Sequence, residues 1–395
     1  MSNRTRCCFV VEARLLRNGS AYWDPRQSFP KDHWDECLHV FGRITVLART
    51  LPTQDSATGG VVFPAKVSVG ELPYYIGPVN AGRKSLALIR AARLWARRGN
   101  VFVLRVPGFV PSLVWFWLRR YQKPYAVEVL GDPKQVFEVI QHPLRRFWRL
   151  VYSRAQQAMI RKASAIMYVS RTLLELYPGP TGRPSVVISD ARLTDQVFKG
   201  PRTFLSIPKP VRLVHVGNME QPYKGHDYLI KAIAICIKSG NSLQLTLVGD
   251  GRLRSNYQSF CNQLGLSELV VFRGAVTWGP ELFQILDEAD LFVLCSLTEG
   301  LPKSLLEAMA RGLPAIGSNV GGIPELLTPE VLVPAADERR LANKIMQLTS
   351  DPALLARQSL RNYQEALKYH HNRLSNARIE FYRRFKSSVD REPPT

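Results

Sequence analysis

Short apolar runs alternate regularly with longer amphipathic segments in the second half of the chain. Such alternation favours a parallel sheet with helices on both faces. The first half shows the same alternation less cleanly, so the sequence predicts an α/β fold built on two sheets. The predicted second-half elements are strand Val211–Val216, helix His226–Ser239, strand Gln244–Val248, helix Leu253–Gln263, strand Val270–Phe272, helix Pro280–Glu288 and strand Leu291–Cys295.

The length of 395 residues predicts two domains, joined at the Pro-rich tract Lys199–Pro210. We expect domains over residues 1–200 and 201–365, followed by residues 366–395, a C-terminal helix (His371–Phe385) and a polar, disordered tail (Lys386–Thr395). Helices Glu338–Leu348 and Pro352–Leu367 precede it. In the first half the predicted strands are Cys7–Glu12, Val40–Leu47, Val61–Val69, Val101–Val106, Tyr125–Leu130, Ala165–Val169 and Val186–Ser189, and the predicted helices are Arg83–Arg98 and His142–Ala163.

The net charge of +21 is concentrated in the first half. Residues 1–200 carry 30 Lys and Arg against 13 Asp and Glu, and the rest carry 23 against 19. This asymmetry indicates an anionic partner. Since aromatic side chains lie near the basic runs, we expect docking on an anionic membrane surface, with core aromatics and a solvated basic face as the alternative. The aromatics concerned are Trp95, Trp115, Phe116, Trp117 and Trp148.

Other features restrict the class of protein. No nucleic-acid-binding module is recognisable, so nucleic acid is a disfavoured partner. The six cysteines are scattered without CxxC spacing, which argues against a zinc site or a disulfide framework and suits a reducing cytosol. No apolar run approaches the ~20 residues of a membrane span, and the apolar run Cys7–Val11 is too short for a signal sequence. We therefore expect a cytoplasmic, peripheral membrane protein.

The segment Cys295–Glu325 has the pattern of an anion site. A buried strand enters the loop Glu299-Gly300-Leu301-Pro302, the helix Lys303–Arg311 follows, and a short strand, Ala315–Gly317, leads to Gly321-Gly322. Free amide N–H groups at a helix N-terminus, together with the helix dipole, favour phosphate. A solvated stripe of ion pairs is the alternative interpretation of the charged helix residues.

The segment EGLPKSLLEAMARGLPAIGSNVGGIPE, with its E-x7-E spacing, closely resembles the donor-site signature of the retaining glycosyltransferases of family 4, which have the GT-B fold of two Rossmann-like domains facing across a cleft. The resemblance implies that Glu307 binds the ribose hydroxyls and that Glu299 contacts the donor sugar or the transition state. It also implies that a leaving diphosphate is bound by the amides of Gly300, Leu301, Pro302, Lys303, Ser304 and Leu305, the proline contributing backbone shape rather than an N–H.

Further donor contacts are implied by the same resemblance. Lys224-Gly225 after Gly217 is similar to the family's phosphate clamp, but Asn218 stands where an arginine is usual, and we hypothesise that Lys303 supplies the missing charge. Gly249 and Gly251 resemble a turn near the donor, and Val276 would lie beside the base. UDP and GDP both remain open. No DxD pair is present, so no metal or other cofactor is expected.

The resemblance is weaker in the first half of the chain, where the acceptor is expected to bind. The family often has a histidine after the strand equivalent to Tyr125–Leu130, where this chain has Glu128-Val129-Leu130-Gly131-Asp132-Pro133, a form similar to bacterial surface-polysaccharide enzymes. We nominate Asp132 as a catalytic residue, with a turn former as the alternative. Arg105, Gly108 and Glu128 are nominated for acceptor binding.

The expected activity is retaining transfer of a sugar from a nucleotide-sugar to a glycan or lipid-linked glycan, and the last helix is expected to return to the first domain. A GT-B epimerase or phosphorylase and an inactive membrane scaffold are the alternatives.

Overall fold

The computed structural model describes residues 6–24, 29, 33–54, 61–139 and 144–391. A first sheet and its helices use the chain up to Val187. The strands are β1 (Cys7–Asn18), β2 (Ala21–Asp24), β3 (Ile44–Pro52), β4 (Val61–Val62), β5 (Val67–Pro73), β6 (Val101–Val106), β7 (Tyr125–Val129), β8 (Ala165–Tyr168) and β9 (Ser185–Val187). The helices are α1 (Asp35–Phe41), α2 (Gly77–Arg83), α3 (Ser85–Arg98), α4 (Phe109–Arg120), α5 (Pro133–Val139), α6 (Arg145–Lys162) and α7 (Arg171–Leu176).

The first sheet is parallel over the order β5-β3-β1-β6-β7-β8-β9. The short strand β2 pairs antiparallel with the far end of β1, and β4 pairs antiparallel with β2. Central strands such as β7 are buried along their whole length. Because parallel strands end at one edge of the sheet, the segments that follow β6, β7, β8 and β9 come together there.

The second sheet has the order β12-β11-β10-β13-β14-β15 and is parallel throughout. Its strands are β10 (Val211–Val216), β11 (Leu243–Val248), β12 (Val270–Gly274), β13 (Leu291–Leu294), β14 (Ala315–Ser318) and β15 (Leu332–Val333). Its helices are α8 (His226–Lys238), α9 (Arg254–Gln263), α10 (Pro280–Glu288), α11 (Lys303–Ala310), α12 (Ile323–Leu326), α13 (Glu338–Leu348) and α14 (Pro352–Leu367).

The last helix, α15 (His371–Arg391), packs on the first sheet rather than on the second. Phe381, Tyr382 and Phe385 are buried in the same apolar cluster as Phe9 of β1 and Trp34. We call the first sheet with its helices and α15 the first domain, and the second sheet with α8 to α14 the second domain. Each sheet thus has its own core, and the chain crosses between the domains twice.

Four predicted elements are corrected by the structure. The segment Val40–Leu47 is not one strand: its first residues end α1, where Cys37 and Phe41 are buried, and the strand begins at Ile44. The predicted strand Val61–Val69 is two short strands, β4 and β5. The predicted helix Arg83–Arg98 is broken at Lys84, whose N–H bonds back to Asn80 and begins a new helix.

The tail is the fourth correction. Residues 386–391 continue α15, because Val389 packs against the first core and the Lys386 ammonium donates to the Val40 carbonyl at 3.1 Å. Residues 392–395 of that prediction, and residues 142 and 143 of the predicted basic helix, lie outside the described residues. Most other predicted elements match within one or two residues, because their apolar periodicity agrees with the packing.

The aromatic residues near the basic runs divide into two groups. Phe116 and Trp148 are exposed, as an interfacial position requires, and Trp95 and Trp117 are half-buried. Trp115 is instead a core residue whose indole donates to the Tyr125 hydroxyl at 2.8 Å. The expectation of an interfacial role is therefore wrong for Trp115.

Candidate active site

The edges at which the parallel strands end face each other across the gap between the domains. The Gly300 backbone approaches the Leu130 carbonyl so closely that a Cβ on Gly300 would lie 2.4 Å from that oxygen. The Thr298 hydroxyl donates to Gln135 Oε1 of the first domain at 2.8 Å. The loop after β13 of the second domain is therefore in contact with the segment after β7 of the first domain.

Glu299 and Lys224 form an ion pair at the centre of this cleft. The Lys224 ammonium lies 2.6 Å from Glu299 Oε1, and the two side chains are only 13% and 9% exposed. Burial acts to lower the pKa of Lys224, but the Glu299 carboxylate more than offsets it and the pKa is raised. The Ser296 hydroxyl donates to the same carboxylate oxygen at 2.7 Å. Both predicted residues are thus paired and oriented within one site.

Glycines let the surrounding loops pack at backbone contact. Gly321 has φ +52°, and a Cβ there would lie 2.0 Å from the Glu299 carbonyl oxygen. The Gly322 N–H donates to the Gly300 carbonyl at 2.7 Å. A Cβ on Gly225, which has φ +72°, would meet the Cys295 carbonyl at 2.2 Å. These contacts fix the Glu299 loop from two sides.

The start of α11 lacks a side-chain cap. Pro302 is the N-cap and provides no side-chain hydrogen bond, so the first-turn amides of Lys303, Ser304 and Leu305 have no side-chain cap. Leu301 packs into the core, which leaves the backbone of the loop facing the cleft. Lys303 is half-exposed and its ammonium lies 3.7 Å from Asp190 Oδ2 of the first domain. Amide dipoles and a lysine therefore favour an anion at this point.

Glu307 lies one turn into α11 and is buried. Burial raises the pKa of its carboxyl group to about 7, although Lys303 and the Trp278 side chain act to lower it. A buried carboxyl group that can both donate and accept hydrogen bonds suits a ligand with hydroxyl groups. Val276, on the segment leading to Trp278, is partly buried against the second core.

The loops after β10 and β11 form the adjoining wall. A Cβ on Gly249 would lie 2.0 Å from the Gly217 carbonyl, and one on Gly251 would lie 2.3 Å from the backbone of Met219. Both glycines have φ between +137° and +153°. Asn218, which replaces the usual arginine, instead donates to the Tyr223 hydroxyl at 2.9 Å and stabilises its own loop.

Arg105 and Glu128 are paired on the first-domain side. Arg105 Nε lies 3.0 Å from Glu128 Oε2, and the Tyr382 hydroxyl of α15 donates to Glu128 Oε1 at 2.5 Å. Both nominated residues line a cavity that also includes Asp190 and Arg378. The structure thus brings these two nominated acceptor residues together, and it adds two residues of the last helix to them.

Asp132 and Gly108 have structural partners. Asp132 is buried, accepts a hydrogen bond from the Tyr177 hydroxyl at 2.5 Å and another from the Lys134 N–H at 2.9 Å. These bonds begin α5, as the alternative interpretation of Asp132 as a turn former requires. Gly108 precedes α4, and a Cβ there would lie 3.0 Å from Glu12 Oε2. A catalytic role for Asp132 remains a prediction.

Sequence reasoning missed several residues of the cleft. The sequence alone could have indicated Ser296, because this residue directly follows the predicted strand and lies three residues before Glu299 in the same loop. Asp190 follows the short strand β9, and Tyr382 is 254 residues from Glu128 in the chain. Long-range pairs of this kind leave no periodic signal in a single sequence. Within the described residues, no group of three or more His, Cys, Asp or Glu side chains could hold a metal ion.

Comparisons with known proteins add an independent finding. Residues 210–351 match the family model described as Glycosyl transferases group 1. The chain is similar to protein CapJ of Staphylococcus aureus, with 24% identity over 315 residues that cover 79% of this chain and 78% of CapJ. It is also similar to the amylovoran biosynthesis glycosyltransferase AmsK of Erwinia amylovora, with 33% identity over 157 residues, 38% of each chain.

Solved structures share the fold at low identity. A sucrose-phosphate synthase from Thermosynechococcus elongatus superposes with a TM-score of 0.72 at 17% identity, covering 98% of this chain and 100% of that one. Anabaena HepE, solved in complex with UDP-glucose, superposes with a TM-score of 0.64 at 18% identity, covering 95% and 98%. The predicted fold class, two facing α/β domains of the GT-B type, is confirmed.

Proposed function

Because residues 210–351 of this chain form a glycosyl transferases group 1 domain, we propose that the protein transfers a sugar from a nucleotide-diphosphate sugar to a glycan acceptor in surface-polysaccharide biosynthesis. The second domain binds the donor and the first domain binds the acceptor. AmsK, which is described as an amylovoran biosynthesis glycosyltransferase, supports polysaccharide biosynthesis as the setting. Retention of the anomeric configuration is proposed from the resemblance of the E-x7-E segment to retaining enzymes.

The observation that carries the proposal is the open N-terminus of α11 beside the Lys224–Glu299 pair. When the bond between the anomeric carbon and the diphosphate oxygen breaks, its electron pair leaves with the diphosphate. Charge then grows on the phosphate oxygens, and fixed amides and the Lys224 ammonium stabilise that charge better than they stabilise the ground state. Glu307 binds the ribose hydroxyls, and the backbone near Val276 contacts the base.

We propose that this chemistry needs no metal ion, since Lys224, Lys303 and the helix dipole provide positive potential where the diphosphate binds. Thermal-shift and calorimetric titration with UDP-glucose, UDP-galactose, UDP-N-acetylglucosamine and GDP-mannose, each with and without EDTA, tests donor choice and metal dependence together. Binding abolished by EDTA and restored by magnesium would contradict metal independence.

Product analysis separates the proposed activity from its alternatives. NMR of the product made with the donor that binds gives the anomeric configuration directly, and the α-linked donors predict an α-linked glycoside. Epimerisation of the free nucleotide-sugar would indicate an epimerase, and phosphorolysis of a glycoside would indicate a phosphorylase. No binding of any nucleotide-sugar would favour an inactive scaffold and overturn the proposal.

We also propose that the acceptor is lipid-linked and that the first domain docks on an anionic membrane at the cytoplasmic face. On α6 an apolar stripe is exposed at positions i, i+3, i+4 and i+7: Leu144, Phe147, Trp148 and Val151 are 55%, 56%, 39% and 39% exposed. Arg145 and Arg146 flank the stripe. Apolar side chains bordered by arginines fit the boundary between lipid headgroups and acyl chains. No helix among the described residues is long and apolar enough to cross a bilayer.

Vesicle cosedimentation tests the docking surface. Wild-type protein should bind vesicles of 70% phosphatidylcholine and 30% phosphatidylglycerol more tightly than vesicles of phosphatidylcholine alone. The Phe147→Glu and Trp148→Glu double variant should lose most of this binding. Leu360→Glu is the matched control, because Leu360 is 47% exposed on α14 of the second domain. Equal binding by the double variant and the control would overturn the assignment of this surface.

A further inference from the structure

Asp190 lies where the two halves of the cleft meet. It follows β9 in the first domain, and its side chain is 29% exposed. The turn that holds it is fixed on both sides: the Ala191 N–H donates to Ser189 Oγ at 3.1 Å, and Arg378 donates to the Ser189 carbonyl at 2.7 Å. The carboxylate is therefore presented by a rigid turn rather than by a free loop.

The Asp190 carboxylate faces donor and acceptor residues at once. Its Oδ2 lies 3.7 Å from the Lys303 ammonium, at the start of the helix proposed to hold the diphosphate. It also lines the small cavity that includes Arg105 and Glu128. Burial acts to raise the pKa of Asp190, but Lys303, Arg105 and Arg378 offset it and the pKa is lowered. Asp190 is thus ionised at neutral pH.

The arginines of this cavity are paired with other carboxylates. Arg105 is paired with Glu128 at 3.0 Å. Arg378 and Arg192, the other two arginines in the cavity lining, are both paired with Glu36, at 3.2 Å and 3.5 Å. The contact between Asp190 and Lys303 is long, and Lys303 is half-exposed. The carboxylate consequently retains hydrogen-bond acceptor capacity toward the cleft. The cavity beside it holds about 30 Å³, which is room for one or two groups the size of water.

We propose that Asp190 accepts a hydrogen bond from a hydroxyl group of the acceptor and orients that hydroxyl toward the anomeric carbon of the donor. The inference rests on the proposed glycosyl transfer and names a residue of the acceptor site. A carboxylate at this point favours an acceptor group that donates a hydrogen bond, such as a sugar hydroxyl. The role of Asp190 is orientation of the nucleophile. The acceptor oxygen bonds to the anomeric carbon as the bond from that carbon to the diphosphate breaks, and the hydroxyl proton passes to the leaving diphosphate oxygen.

Steady-state kinetics with a defined acceptor panel tests the role. The probes are the octyl glycosides of glucose, galactose, N-acetylglucosamine and mannose, assayed with the four nucleotide-sugars named above. Asp190→Asn should raise the acceptor KM or lower kcat/KM for the acceptor by about tenfold or more, the range for losing a hydrogen bond to a charged group. The dissociation constant for the donor should stay within about twofold. Asp190→Glu, which keeps the charge, should retain more activity than Asp190→Asn.

Asp195→Asn is the matched control, because that carboxylate is 95% exposed five residues further along the same segment. Circular dichroism and thermal unfolding report whether each variant folds, and Asp190→Ser replaces Asp190→Asn if the latter does not. An Asp190 variant with wild-type acceptor kinetics would overturn this inference and leave the proposed function standing. Absence of product from the wild-type enzyme with every pair would overturn the inference with the proposed function.

Discussion

The Glu325 carboxylate of the second domain accepts a hydrogen bond from the Thr172 hydroxyl of the first domain at 2.7 Å. The same carboxylate accepts the backbone N–H groups of Arg171 and Thr172, each at 2.8 Å. One side chain thus caps the first turn of a helix in the other domain, on the side of the cleft where the chain crosses between domains. The contact holds the two sheets in the closed arrangement.

Glu325→Ala should loosen that arrangement. Three hydrogen bonds are lost, each worth about 1 kcal/mol net, so the closed state should lose part of its population. Small-angle X-ray scattering should show a larger radius of gyration for the variant than for the wild type. UDP should restore part of the difference if the nucleotide bridges the cleft. Glu330→Ala, on the surface of the second domain, should scatter like the wild type, and identical curves for both variants would contradict the role of Glu325.

Lys224→Met should destabilise the second domain and abolish donor binding. Removing one partner leaves Glu299 buried without its counter-charge, a loss on the order of 3–5 kcal/mol. Lys224→Arg keeps the charge and should lose less. Urea unfolding and calorimetry with UDP measure the two effects. Lys231→Met is the control, because Lys231 lies on α8 with its ammonium over the Tyr228 ring. Full UDP affinity in Lys224→Met would remove this lysine from the site.

Glu307 should make stability depend on pH. Its pKa of about 7 in the folded protein lies above the ordinary value of 4.5, so the folded state binds the proton more tightly than the unfolded state does. The stabilising contribution is full below about pH 4.5 and is lost as the pH rises through 7. Relative to Glu307→Gln, the wild type should lose on the order of 3 kcal/mol over that range. Urea unfolding at pH 5, 6, 7 and 8 measures the difference, and parallel stability curves for the two proteins would contradict it.

Gly321→Ala should disturb the Glu299 loop by more than the backbone strain of a positive φ would cause by itself. The added Cβ would lie 2.0 Å from the Glu299 carbonyl oxygen at a φ of +52°. We expect a loss of roughly 2–4 kcal/mol together with weaker UDP binding. Gly265→Ala provides the comparison, since Gly265 has φ +69° with open space around it and should cost only about 1 kcal/mol. Equal losses for the two variants would show that backbone contact with Glu299 is unimportant.

Tyr382→Phe should weaken the use of the acceptor without changing the affinity for the donor. The variant removes the hydroxyl that donates to Glu128 and keeps the ring packed against Phe9. A loss of about 2 kcal/mol in unfolding free energy is expected, with a raised acceptor KM and an unchanged donor affinity. Tyr363→Phe on α14 is the control. A stability loss with unaltered acceptor kinetics would restrict Tyr382 to the core of the first domain.

The donor side was largely predictable from sequence because its chemistry is local. Glu299, Gly300 and Lys303 follow one another along a strand, a loop and a helix start, and Lys224-Gly225 opens a helix of its own. Short-range patterns of this kind fix backbone geometry. On the acceptor side Glu128 was nominated, but its neighbours Asp190 and Tyr382 were not, because they come from the turn after β9 and from α15. Their contacts depend on how the last helix packs, which no local pattern specifies.

The errors in secondary structure have the same origin. Val40, Phe41 and Ile44–Leu47 lie close together as a largely apolar segment interrupted by Gly42-Arg43, and this composition alone favours a strand. The polar residues before it complete an amphipathic helix that packs against α15. The helical continuation to Arg391 likewise depends on apolar contacts made by Val389 with a distant part of the chain. Contacts with distant parts of the chain therefore determine the secondary structure of these segments.

The return of α15 to the first sheet has a consequence for how the protein is made. Phe381, Tyr382 and Phe385 complete an apolar cluster whose other members are translated hundreds of residues earlier. On a ribosome, the apolar core of the first domain therefore stays incomplete until α15 emerges. The second domain, which begins at β10, already has all the residues of its own core by then. The order of synthesis and the order of maturation are reversed. A chaperone that shields nascent chains would have to protect the first domain for longer than the second domain.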